Sequence, residues 1–362
     1  MTAVTTTPGA GPRSRLDPEA AYRRPTADGP VVLRLDSNEG VLVPRALLSD
    51  LALADPELLR RYPDTSHLEA VLATRLGVAP ERVIVTAGAD ESIDRACRAF
   101  LEPGRDIVIS DPCFDMFERC AALAGGTIAR VPWWGTTFPV DGFLARLDVR
   151  TAVVVVVSPN NPTGAVATLA DVRRLATAAP EALLIVDHVY VEYADEDLTP
   201  ALVDLPNVLV LHTFSKAWGL AGCRVGYAVG SPYVIGVLRA AGGPYTVAAP
   251  SVALALAQLE RGTGPLLAHV TRIRQERGML ARRLAARGLA PHASQANFVL
   301  AECGSRAGAI RDRLAARGVV VRDFPGRPGL ETALRITLPG DPDDFELLCG
   351  ALDAALDMEG ES

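Results

Sequence analysis

The chain has 362 residues, 49% of them apolar, and a formal net charge of −7. That length exceeds what one compact core organises, so two domains, or one large α/β domain with an appendage, are expected. The acidic balance, with arginines spread along the chain rather than run together, argues against a nucleic-acid or anionic-membrane partner. The six cysteines (Cys97, Cys113, Cys120, Cys223, Cys303, Cys349) form no CxxC pair. They read as buried thiols of a cytoplasmic protein rather than a disulfide or zinc framework, and no metal site is expected. The strongest apolar run, residues 152–157, is strand-sized and too short to cross a bilayer.

Residues 1–15 are polar and rich in Thr, Gly and Pro, which reads as disorder without the apolar stretch of a leader peptide. They open an N-terminal arm, 1–37, that begins to pack around Tyr22 and ends in a strand at 31–35. Asn38-Glu39-Gly40 follows, then Arg61-Tyr62-Pro63-Asp64 as a turn before a helix at 66–76. From Val83 strands and helices alternate. Strands are predicted at 83–86, 107–110, 127–131, 152–157, 182–186, 208–211 and 225–229. Helices are predicted between several of them, including 169–178 and one after Ala87-Gly88-Ala89-Asp90 with Ile93, Cys97, Phe100 and Leu101 at helical spacing. Unbroken Val/Ile/Leu runs mark strands covered on both faces, hence a mostly parallel sheet.

After Gly242-Gly243-Pro244 the pattern changes to helices at 251–261 and 266–287, a strand at 297–301 and a helix at 306–317. Strands at 319–322 and 334–337 and a helix at 342–356 complete an α+β region. The division is therefore an arm (1–37), a large domain (38–243) and a smaller C-terminal domain (244–362), with no internal repeat.

Lys216 is the only lysine among 36 Lys and Arg residues. Arginine supplies charge and reach on a surface but does not lose its proton near neutral pH, so a solitary lysine points to a site that needs a deprotonatable amine. Other unusual polar residues fall at strand ends, where ligands of open parallel sheets collect. Gly88-Ala89-Asp90 opens a helix directly after a strand, either as a phosphate site or as a plain N-cap. Ser158-Pro-Asn-Asn161-Pro-Thr-Gly164 follows the strongest strand, either holding an asparagine amide toward a ligand or serving as a rigid turn. Asp187, with Tyr190 three residues on, is a strand-end carboxylate that needs a cationic or donor partner, or caps a helix. Arg224 suits bidentate contact with a phosphate. The Gly219/Gly222/Gly226 spacing is not a dinucleotide fingerprint.

Taken together and in this order, these residues resemble the fold-type-I pyridoxal-phosphate enzymes, and most closely the histidinol-phosphate aminotransferase family. The resemblance runs from about Leu16 onward. It is carried by NEG at Asn38, RYPD at Arg61, TAGADESID at Thr86, SPNNPTG at Ser158, VDHVY at Val186, TFSKAWGLAGCRVGY at Thr213, ANFVL at Ala296, and VRDF with PGLETALRIT from Val321.

It implies an aspartate-aminotransferase-like fold, with a mostly parallel seven-stranded sheet between helices and a smaller α+β domain. It also implies pyridoxal 5′-phosphate as cofactor. Lys216 would hold the cofactor as an internal aldimine and shuttle the proton between Cα and C4′. Asp187 would pair with the ring nitrogen, Asn161 and Tyr190 with the ring 3′-oxygen, and Phe114, in place of the family's usual tyrosine, would stack on the ring. Ala89, Asp90, Thr213, Ser215 and Arg224 would hold the phosphate, with Tyr62 reaching it from the neighbouring subunit of a homodimer. Arg335 would bind the substrate carboxylate, and Arg322 and Tyr22 would lie toward the substrate's far end. Two departures fall near the expected mouth of the site: His188 stands where the family has an acidic residue, and Gly40-Val41 replaces Asn-Pro.

The reaction the resemblance implies is ping-pong amino transfer, by default between histidinol phosphate and glutamate. Threonine-phosphate decarboxylases, aromatic aminotransferases and specialised-metabolite enzymes share these motifs. An aminotransferase-like regulator would carry a DNA-binding domain, and residues 1–35 have neither the length nor the helix-turn-helix pattern for one.

Overall fold

A computed structural model of the chain describes residues 29–52 and 56–357. The expectations for residues 1–15 and for Tyr22 lie outside the described residues.

The centre is a seven-stranded sheet built from β2 (Val83–Thr86), β3 (Asp106–Asp111), β4 (Thr127–Pro132), β5 (Thr151–Val157), β6 (Leu183–Asp187), β7 (Val208–Thr213) and β8 (Gly226–Gly230). A short β1 (Leu33–Leu35) precedes it in the chain. Its order is β2-β8-β7-β6-β5-β3-β4, with β8 antiparallel to both neighbours and the other pairings parallel. β5 shows why these sequences make interior strands. All seven residues of Thr-Ala-Val-Val-Val-Val-Val are buried, and β-branched side chains suit a pleat packed on both faces.

Alternate residues of β5 and β6 enter two separate cores. Val154, Val156, Leu184 and Val186 join one, in which helices Ser66–Leu76, Leu169–Ala178 and Ala249–Arg261 bury Leu72, Leu175 and Val252. Val153, Val155, Leu183 and Ile185 join the other, with Ile93, Phe117 and Ile235 from helices Ala89–Phe100, Asp115–Ala124 and Pro232–Ala241. Ala249–Arg261 packs on the large sheet even though it follows the Gly242-Gly243-Pro244 break.

A second region contains β9 (Ala290–Pro291), β10 (Phe298–Glu302), β11 (Val319–Val321) and β12 (Ala333–Thr337). β12, β10 and β9 form an antiparallel sheet, and β11 pairs in parallel with β1, Leu33 facing Val319. Helices Thr263–Ala286, Ala307–Ala315 and Pro342–Asp357 cover this region, and their Ile273, Ile310 and Leu352 share a core with Phe298. That same core includes Tyr190 and Ala217, so the smaller sheet packs directly under residues at the ends of β6 and β7.

The predicted spans for β2 and for helices Ser66–Leu76 and Leu169–Ala178 coincide with the observed ones. The predicted strand at 31–35 shortens to Leu33–Leu35: Val31 and Val32 are exposed and precede the paired register, though the Val32 N–H still donates to the Gly318 carbonyl at 2.9 Å. Among the described residues no helix is long and apolar enough to cross a membrane.

Candidate active site

β7 delivers Phe214-Ser215-Lys216 to the carboxyl edge of the sheet. Phe214 is buried in a core of the large sheet and Ala217 in that of the smaller region, so Lys216 is held from both sides at the seam between them. Its Nζ donates to the Ser37 carbonyl at 3.1 Å and lies 5.6 Å from the centre of the Tyr190 ring. Burial, and then the Arg335 guanidinium, push the amine down to about 8. A lysine so placed gives a nucleophilic neutral amine near physiological pH. The segment before it is pressed flat on its backbone: a Cβ on Gly40 would stand 1.6 Å from the Lys216 carbonyl oxygen. The unusual glycine of Asn38-Glu39-Gly40 is thereby explained, since this approach leaves no room for the asparagine expected there.

Asp187 closes β6, is 1% exposed, and accepts a hydrogen bond from the Val189 N–H at 3.2 Å. Burial raises its carboxyl to about 7, against the opposing effects of that N–H and of Lys216. Tyr190 is also buried, its ring edge-on to Phe298 at 5.3 Å. Its hydroxyl accepts from Asn38 Nδ2 at 2.9 Å. Burial pushes the phenol up to about 12, with Arg335 and the Asn38 hydrogen bond acting the other way.

On the other side of the lysine is a cradle for an anion. Gly88 (φ 77°) caps helix Ala89–Phe100, whose first N–H groups are free of intrahelical partners. A Cβ on Gly88 would stand 2.6 Å from Arg224 Nη2, and one on Gly226 would stand 2.7 Å from the Ala89 nitrogen. Two glycines thus let the helix N-terminus, β8 and the guanidinium converge. Arg224, itself at φ 51°, donates to Ser215 Oγ at 3.3 Å and to Asp90 Oδ2 at 3.2 Å. The Ser215 N–H donates to Thr213 Oγ1 at 3.1 Å. Backbone N–H groups, a helix dipole, hydroxyls and an arginine in one place suit a phosphate.

The smaller region contributes Arg335, 7% exposed on β12. Its Nη1 donates to Asn161 Oδ1 at 2.6 Å and its Nη2 to the Asp36 carbonyl at 2.7 Å. Arg322 pairs with Arg335 through both backbone hydrogen bonds, and each guanidinium carbon lies 5.9 Å from the centre of the Phe324 ring. Two cations are therefore held side by side near the cluster. Phe114, half-buried at the end of β3, caps helix Asp115–Ala124. Arg327 ties the turn after Phe324 to that corner, donating to the Cys113 carbonyl at 3.2 Å and pairing with Asp115 at 2.8 Å.

Not every expected residue joins this cluster. Tyr62 is 79% exposed and stacks on Tyr245 at 4.6 Å. His188 is not at the mouth of the site: its ring is buried, with Nδ1 3.1 Å from Thr199 Oγ1, which also meets His212 Nε2 at 3.1 Å. Burial pushes His188 down to about 3 and His212 to about 4, so both are neutral. His188 thus belongs to a packed polar network under the strand ends.

The sequence blocks that contain Asn38 and Asn297 gave neither residue a place in the site. Asn38 sits in the left-handed region at φ 54°, which asparagine tolerates better than most residues. Asn297 Nδ2 holds the Asn38 and Glu39 carbonyls at 3.3 and 3.4 Å. The one available signal is an Asn-Glu-Gly turn directly after a short strand, and its partner Thr337 lies 299 positions away.

The residues present fit a flat ring bearing an aldehyde, a basic ring nitrogen and a phosphate. The amine, the buried carboxylate and the glycine-lined cradle answer to those three groups. Among the described residues no cluster of His, Cys, Asp or Glu is arranged to hold a metal ion.

Comparison with known proteins agrees with this geometry. The family described as aminotransferase class I and II matches residues 32–352. A histidinol-phosphate aminotransferase of Dinoroseobacter shibae is 38% identical over 89% of this chain and 91% of its own. An aromatic amino acid aminotransferase of Rhodococcus jostii is 36% identical over 91% of this chain and 92% of its own. Among solved structures, histidinol-phosphate aminotransferase from Sinorhizobium meliloti in complex with pyridoxal-5′-phosphate superposes with a TM-score of 0.82 at 29% identity. That match covers 91% of this chain and 92% of the other.

Proposed function

The chain belongs to the class I and II aminotransferases and works with pyridoxal phosphate, and from that membership we propose its substrates and a role for each residue of the cluster. Bound pyridoxal phosphate supplies an aldehyde that condenses with amines and a ring that accepts electrons.

Lys216 Nζ would hold the cofactor through its aldehyde carbon and, when free, would serve as the general acid and base that moves a proton between the donor Cα and the cofactor's C4′. Its depressed pKa supports this, since a proton shuttle works best near the operating pH. Asp187 keeps the ring nitrogen protonated, and the proton there gives the buried carboxylate the partner its environment withholds. Asn161 and Tyr190 hydrogen-bond the ring oxygen: with Asn161 Oδ1 taken by Arg335, its amide N–H groups remain to donate. Phe114 lies on the ring face, as its position at the end of β3 supports. Ala89 and Asp90 backbone N–H groups, Thr213, Ser215 and Arg224 hold the phosphate.

Tyr62 reaches the phosphate of a partner subunit in a homodimer, a reading its exposure supports. The protein acts in the cytoplasm, and its division into a large domain (38–243) and a small one (244–362) is supported by separate cores for the two, with helix Ala249–Arg261 packing with the large one.

The substrates we propose are histidinol phosphate as donor and 2-oxoglutarate as acceptor, with glutamate as product. The observation that carries this is the adjacent pair Arg322 and Arg335, two half-buried or buried cations suited to a phosphate or a carboxylate. A second reading, an aromatic donor, draws on Phe324 beneath both guanidinium groups. A donor screen that follows the absorbance of the pyridoxamine form separates them. Histidinol phosphate is expected to react at least about 100-fold faster than histidinol. Equal rates for the two, with faster turnover of phenylalanine or tyrosine, would overturn the phosphate reading.

A further inference from the structure

We propose that Asn38 is a positioning residue that fixes the direction of the Tyr190 hydroxyl proton, leaving that proton free to be donated into the site. The inference rests on the cofactor reading above.

A phenol has one proton to give and lone pairs to receive with. At Tyr190 a receiving position is filled by Asn38 Nδ2, 2.9 Å away. The oxygen end of the Asn38 amide is held by Thr337. The Asn38 N–H donates to Thr337 Oγ1 at 3.2 Å, and the threonine proton is donated to Asn38 Oδ1 at 2.8 Å. The amide oxygen is therefore committed to Thr337 and the NH2 to Tyr190. Asn38 cannot take the phenol proton, so Tyr190 has it to give elsewhere.

The geometry is held firmly. Asn38, Thr337, Tyr190 and Asn297 are all buried, and Asn297 clamps the Asn38 carbonyl from β10's side. A buried chain of hydrogen bonds polarises along its length, so a donor on the phenol oxygen makes its own proton a better donor. The charged groups that bear on the hydroxyl are Arg335, Asp187 and Asp90, with the Lys216 amine over the ring. Among the described residues, Asn38 is the side chain seen hydrogen-bonded to the phenol oxygen.

A proton donated to the cofactor's ring oxygen favours the deprotonated form of the bound cofactor, so weakening that donation raises the pH at which its absorbance changes. The test uses the full chain loaded with pyridoxal phosphate and follows visible absorbance against pH. Asn38→Gly keeps the positive φ and removes the amide. It should retain a band that Lys216→Ala abolishes, with the pH midpoint raised by about half a unit to one unit. Asn38→Asp keeps the Thr337 contact but offers Tyr190 an acceptor, and should raise the midpoint further. In a Tyr190→Phe background, where the midpoint is already high, Asn38→Gly should add nothing.

An equal shift with and without the Tyr190 hydroxyl, or no shift in Asn38→Asp, overturns the assignment. Should Asn38→Gly fail to fold, Asn38→Asp compared with and without the Tyr190→Phe substitution carries the same contrast. If the unaltered protein shows no Lys216-dependent band, it is the cofactor reading that falls, and the two failures are told apart.

Discussion

At Asp187, burial moves the carboxyl from its ordinary 3.8 to about 7, and linkage gives the consequence a sign. Between those values the folded, cofactor-free protein keeps a proton that the unfolded chain has lost. This group's contribution to stability is therefore fully present below about 4 and is lost as pH rises through 7. The cofactor-free protein is expected to lose roughly 1 to 3 kcal/mol relative to Asp187→Asn between pH 5 and 8. Urea midpoints of the two proteins across that range check it, and added pyridoxal phosphate should flatten the difference. A parallel pH dependence of both proteins would show that the carboxylate is not the titrating group. At this scale much was legible: a lone lysine among arginines and a strand-end aspartate announce themselves through chemistry. Asn38 did not, because its meaning lies in which end of an amide faces a tyrosine, and a sequence carries no amide orientation.

Among the elements, the junction of β8 with helix Ala89–Phe100 depends on an absent side chain. An alanine at Gly226 would place its Cβ 2.6 Å from the Gly88 carbonyl carbon and 2.7 Å from the Ala89 nitrogen. Neither neighbour is a flexible side-chain end, so the helix N-terminus must retreat from the phosphate position proposed above. Gly226→Ala is expected to weaken pyridoxal phosphate binding by about 10- to 100-fold, read from the absorbance of bound cofactor in a titration. Circular dichroism should remain that of the folded chain. Strands such as β5 were legible because unbroken β-branched runs have few other uses. Helices Asp115–Ala124 and Pro232–Ala241 were not identified, their alanines, cysteine and glycine giving a weaker periodic signal than the packing that fixes them. The destination of helix Ala249–Arg261 was equally hidden, since a Gly-Gly-Pro break marks a turn in the chain but not which core the next helix will choose.

For the whole molecule, Tyr62 and Tyr245 are exposed and stack on each other, and the homodimer proposed above would cover them. If Tyr62 completes a partner's site, a dimer of one Lys216→Ala chain and one Tyr62→Ala chain has one intact site. Differently tagged chains, purified as the mixed dimer, are expected to recover about half the activity of the unaltered dimer. The Tyr62→Ala homodimer should bind cofactor about 10-fold more weakly. Mixed dimers no more active than the parents would mean that Tyr62 serves its own chain or none.

The parallel pairing of β1 with β11 joins Leu33 to Val319, and Asn38 meets Thr337 in the same stretch. A ribosome therefore releases the first of these partners long before the second exists. The large sheet has all its strands by Gly230, but the wall beside the lysine waits for the far end of the chain. Closing so long a loop is slow by its topology. A nascent chain can thus hold every strand of the large sheet and its reactive amine before Thr337, the partner of Asn38, has been made.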